Sequence, residues 1–178
     1  GCKKGDTIIN VYITEDDLKE EIKDETGLIG KWKLTEVTGS DYRIRHSDEA
    51  TDENGVPIMH SLKMEIVGIN IDRTIEFQEK DLIYETSGSY FIEFPMEING
   101  TTNMTTLDIS FLSEKASWLQ KNENEIVFHR IGGSDTVATI LEQTKDMLKL
   151  ELDVFGLQKT DTNDVSYMGT LIYTLEKI

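Results

Sequence analysis

The strongest constraint on how this chain can fold is a two-residue hydrophobic period that dominates its last third. Across 147–155, Leu148, Leu150, Leu152 and Val154 alternate with Lys149, Glu151 and Asp153; across 168–177, Leu171, Tyr173 and Leu175 alternate with Ile172, Thr174 and Glu176. Successive side chains of an extended strand point to opposite faces, so this period buries one face and wets the other. The same signature recurs upstream. Trp32 and Leu34 share a face opposite Lys31, Lys33 and Thr35, and Leu62, Met64 and Ile66 alternate. Further runs fall at 73–78 with Ile75 and Phe77 inward, at 82–86, and at 88–94 with Tyr90, Ile92 and Phe94 on one face. They continue at 104–112 with Leu107, Ile109 and Phe111, then at 115–120, 125–130 and 136–142.

Turn chemistry separates these runs. Asn99-Gly100, Lys121-Asn122-Glu123-Asn124 and Gly132-Gly133 read as hairpin bends, and Gly88 marks a bend or bulge. About eight to ten short strands joined by polar turns predict an all-β, antiparallel fold, either an up-and-down barrel or a sandwich. Residues 38–72 are less regular, rich in Asp, Glu, Gly and Ser with Pro57 in their middle, and predict a long excursion at the rim. Within them Asp52-Glu53-Asn54-Gly55 resembles part of a calcium loop, but Ala50 and Ser61 stand where its first and last ligands belong, so it reads as a turn.

Residues 14–27 carry the one helical pattern. Thr14 can cap it with Asp17 three residues on, Leu18 and Ile22 share a face, and Gly27 suits the C-terminal cap. The chain therefore divides into a tether, residues 1–13, and a single domain, residues 14–178, whose short N-terminal helix precedes the strands. One core is the default for 178 residues, because a split would leave two marginal halves.

Charge excludes one class of partner. Thirty-four acids face eighteen Lys and Arg, a net charge of −16, whereas phosphate binding needs cations to displace counterions; nucleic acid is set aside. The same charge repels an anionic lipid surface, so membrane residence requires a covalent anchor.

Catalytic patterns are absent. His46, His60 and His129 are far apart in the sequence and form no metal-binding spacing, and Gly39-Ser40, Gly88-Ser89 and Gly133-Ser134 lack the Gly-x-Ser-x-Gly elbow. Gly132-Gly133 is followed by no Gly-Lys-Ser/Thr, so no phosphate cradle is built there. The expectation is a non-enzyme with no catalytic residue, no metal and no cofactor.

Two features resemble known families. Gly1-Cys2, with the chain's one cysteine followed by polar Lys3, Lys4, Gly5, Asp6 and Thr7, resembles the junction at which a bacterial lipoprotein is lipidated on sulfur. Several acyl chains on one residue suffice for stable attachment where one is marginal. Asp6-Thr7-Ile8 and Asp135-Thr136-Val137 resemble the short O-glycosylation acceptor motif of Bacteroidetes. Gly27-Leu28-Ile29-Gly30-Lys31-Trp32-Lys33-Leu34 resembles the start of lipocalin-like lipoproteins of Bacteroidetes, whose first strand carries a Gly-x-Trp element. The likeness runs on through Thr74-Ile75-Glu76-Phe77, Ser87-Gly88-Ser89-Tyr90, Ala138-Thr139-Ile140-Leu141 and the closing Tyr173 to Ile178, roughly residues 28–178.

This resemblance implies an antiparallel, lipocalin-like barrel of about eight strands, with Gly30 and Trp32 as the plug of one end. It also implies a cell-envelope address at the outer membrane, through lipid on Cys2. An interior lined by Phe77, Tyr90, Ile109, Leu150 and Tyr173 would accept a small hydrophobic ligand. Equally, those side chains could fill the barrel themselves, leaving its outer surface to dock an envelope partner.

Overall fold

The computed structural model describes residues 26–98, 101–108, 112–159 and 164–178. Nine strands form one antiparallel sheet: β1 Gly30–Thr51, β2 Pro57–Phe77, β3 Ile83–Ile98, β4 Thr101–Asp108, β5 Lys115–Asn122, β6 Glu125–Phe128, β7 Thr136–Gln143, β8 Met147–Lys159 and β9 Asp164–Lys177. Their order is β2-β1-β9-β8-β7-β6-β5-β3-β4, and β2 also pairs with β3, which closes eight of them into a ring. Along its outer edge β3 pairs first with β5, at Ile83–Glu85, and further on with β4, at Phe91–Ile98. The two registers differ by a single residue, so β4 and β5 are two stretches of one path down that edge. Every strand of the ring thus neighbours those that precede and follow it along this path, an up-and-down course that uses short connections and leaves few free edges.

The sequence led to the expectation of a barrel of about eight short strands, whereas the wall is uneven. β1 and β2 are 22 and 21 residues long and β6 only 4. The expected rim excursion over 38–72 is instead the tall part of that wall: β1 and β2 pair from Gly30↔Phe77 up to Thr51↔Pro57. Its tip is the Asp52 turn, in which the Asp52 carboxylate accepts from the amides of Asn54 (2.8 Å) and Val56 (2.9 Å). Polar composition concealed a ladder that backbone hydrogen bonds, common to every residue type, hold together. The runs at 82–86 and 88–94 are likewise one strand. Of the helix expected over 14–27, only Thr26 and Gly27 are described, and they form a bend; the rest, the tether 1–13 and Cys2 lie outside the described residues, as do Asn99-Gly100, Ile109 and Phe111. Among the described residues the one helical element is a short 3₁₀ turn, Lys80–Leu82.

Two bulges in β1 decide what faces inward. Trp32 and Leu34 are buried, and strict alternation would next turn Glu36 to the core. A bulge between Leu34 and Glu36 shifts the phase, so that Val37 is buried and Gly39 packs against Ile66 and Leu171 while Glu36 is exposed. A second bulge, between Ser40 and Arg43, reverses the phase again and turns Arg43 and Arg45 to solvent.

At the base, where β1 begins, the interior is filled by aromatic rings. Phe77 meets Trp118 edge-on at 5.2 Å and Phe128 at 5.8 Å, and Tyr84 meets Phe128 edge-on at 5.1 Å. Each buried aromatic contributes roughly 1.5–3 kcal/mol by leaving water, and an edge-on pair adds roughly 0.5–1.5 kcal/mol. Their polar atoms are satisfied: Trp118 Nε1 donates to Gln78 O (3.3 Å) and the Tyr84 hydroxyl to His129 O (2.6 Å).

Candidate functional site

The Gly-x-Trp element opens β1 at the base. Trp32 is fully buried, and its indole N–H donates to Leu28 O at 2.8 Å. Lys177, near the end of β9, lays its ammonium 5.1 Å from the centre of the Trp32 ring and donates to Ile29 O at 2.8 Å. Gly30 makes this possible. Its φ of +126° suits glycine, and a Cβ there would stand 2.9 Å from Lys177 Cε. The first and last strands are thereby joined at the base by a cation over an aromatic face.

Of the residues expected to line a cavity, Phe77, Tyr90, Leu150 and Tyr173 all belong to the buried core, and Ile109 lies outside the described residues. They divide into two groups. Phe77 stacks with Trp118 and Phe128 at the base, whereas Tyr90 and Tyr173 meet edge-on, 5.8 Å apart, with their hydroxyls hydrogen-bonded. Leu150 stands beside Tyr173 in the β8–β9 register. Burial pushes the Tyr173 phenol up to about 12, against the opposing effects of the Tyr90 hydrogen bond and the Arg73 charge.

Arg73 is the interior residue that sequence reasoning missed. It is 7% exposed, on β2, and donates to Gly88 O (3.2 Å) and Thr86 Oγ1 (3.1 Å). The clue was available: Arg73 shares its phase with Ile75 and Phe77, and a charged residue on a core-facing period is worth notice. Its anchor, Gly88, is no bulge but stands opposite Arg73 in an unbroken β2–β3 register; its φ is +74° and its missing Cβ would overlap Asp72 O at 1.4 Å.

The histidines, far apart in sequence, are not all far apart in the fold. The β1–β2 register sets His46 opposite His60. His129, on the low wall, pairs through Nδ1 with Asp135 at 3.0 Å, half exposed. Among the described residues no group of three or more His, Cys, Asp or Glu is placed to hold a metal ion.

On the outer face of the tall wall, two hollows adjoin. The larger, about 400 Å³, is lined by Arg43, Asp153, Val154, Phe155, Met168, Gly169 and Thr170. The smaller, about 80 Å³, adds Arg45, Ser166 and Tyr167. Neither involves the residues expected to line an interior cavity. Compared with protein-family models, curated proteins and solved structures, the chain matches none.

Proposed function

We propose that this chain is a lipid-anchored, non-catalytic, lipocalin-like binding module of the bacterial cell envelope, held at the outer membrane through Cys2. Its cargo in this reading is a small hydrophobic ligand or an envelope partner. The observation that carries the proposal is the antiparallel ring of eight strands with Trp32 buried at its base. The anchor rests on the sequence around Cys2.

A second reading, an interaction module with a solid core, is favoured by the ring packing of Phe77, Trp118, Phe128 and Tyr84. One protein preparation tests both. Mass spectrometry of the N-terminal peptide of native, membrane-extracted protein should find an acylated Cys2; a free thiol there would sink the anchor. Titration with a lipophilic fluorophore should alter the emission of buried Trp32 and Trp118 if the interior accepts a ligand. Unchanged emission leaves the solid-core reading standing.

A further inference from the structure

The outer hollows of the tall wall combine two features that the rest of the surface does not explain. In a chain of net charge −16, two of the four arginines, Arg43 and Arg45, stand side by side on the solvent face of β1. Among the described residues, no hydrogen bond or ion pair engages either guanidinium. The β1–β9–β8 register then sets Arg43, Met168 and Phe155 in one row, with Arg45 and Ser166 on the next row towards the tip. Met168 is 45% and Phe155 69% exposed, apolar surface left in water beside unpaired charge.

We propose that this groove binds a small anionic amphiphile, its carboxylate or phosphate held by Arg43 and Arg45 and its apolar body laid over Met168 and Phe155. The inference deepens the binding reading above and moves the ligand from the barrel interior to the outer wall. Guanidinium groups form paired, charge-assisted hydrogen bonds to planar anions, the chemistry that separates Arg from Lys at such sites. The larger hollow, about 400 Å³, is shallow and open to solvent, a bed on which such a molecule lies with one flank wet. The groove also has a direction. Asp153, one row towards the base, accepts from Thr170 Oγ1 at 3.1 Å and repels an anion from that end, so the headgroup belongs at the arginines.

The test uses the full chain labelled with ¹³C at its methionine methyls and ¹⁵N at its indoles, with Met168 assigned through Met168→Leu. Decanoate should shift the Met168 methyl saturably, and the Arg43→Gln/Arg45→Gln variant should weaken that binding about tenfold or more. Decyltrimethylammonium, of equal chain length and opposite charge, should bind there at least about tenfold more weakly. An equal response to both amphiphiles, or an unchanged affinity in the double variant, overturns the proposal. Shifts confined to the indoles overturn the groove while upholding an interior ligand, and silence at every probe removes the small-ligand reading altogether. Perturbation of Met168 by phosphatidylglycerol vesicles or by concentrating the protein alone, without a decanoate response, overturns it in favour of a lipid surface or a second copy.

Discussion

Tyr90 and Tyr173 place two hydroxyl groups where water cannot reach, and each hydroxyl has the other as partner. A neutral phenol tolerates that site and a phenolate does not, which is why burial raises the Tyr173 pKa to about 12 from 10.0. With the folded value above the unfolded one, the contribution to stability is fully present below pH 10 and is lost as pH rises towards 12. Urea unfolding between about pH 9 and about pH 12 should show a decline in the natural chain that exceeds that of Tyr90→Phe/Tyr173→Phe by on the order of 2 kcal/mol. Equal slopes in the two proteins would place the alkaline lability elsewhere. Arg73, beside this pair, was on a readable period and could have been found from sequence. The Tyr90–Tyr173 bond could not, because it joins residues 83 apart that only ring closure brings together.

At the level of the strand, the two-residue period located β7 and the parts of β8 and β9 nearest the base, because Leu148 to Val154 and Leu171 to Leu175 keep one face buried. β1 was harder. Its bulges after Leu34 and Ser40 change phase twice, and a strict period therefore misassigns the stretch between them, Glu36 to Ser40, before it holds again at Arg43 and Arg45. Glycines with left-handed backbone differ in how much the strand needs them. Gly88→Ala has to drive its Cβ into the Asp72 carbonyl, whereas Gly132, with nearly the same φ, has open space around it. The expected cost is more than about 3 kcal/mol at Gly88 and only about 1 kcal/mol at Gly132, where left-handed backbone strain is the whole penalty. Urea midpoints at constant m-value measure both. Comparable losses at the two positions would mean that β2 and β3 can part at Gly88 without harm.

At the scale of the whole molecule, the base is held by buried aromatic rings, whereas at the exposed β1–β2 tip the Asp52 carboxylate and backbone hydrogen bonds hold the turn. The turn should open locally at lower cost than the base. Trp118→Ala removes a ring from the Phe77 cluster and should lower global stability by about 3–5 kcal/mol. Asp52→Ala should leave the urea midpoint almost unchanged while amide exchange accelerates near the turn, a local cost of about 1 kcal/mol. A large midpoint shift with Asp52→Ala would show that the tall hairpin unfolds together with the base. The amphiphile groove lies on the tall wall, on strands that continue down into the packed base, so its residues have a firm backing.

Alternating hydrophobicity and turn residues by themselves determined that this chain is all-β and antiparallel, and which faces of its later strands are buried. Those are local properties, since each strand carries its own inward face in its period. Closure through the β2–β3 pair, the uneven wall, the Trp32–Lys177 contact and the inward turn of Val37 and Gly39 were decided only by the tertiary structure. Each depends on the register between segments distant in sequence, and a single-residue bulge, which no composition reveals, is enough to reverse which side chains meet.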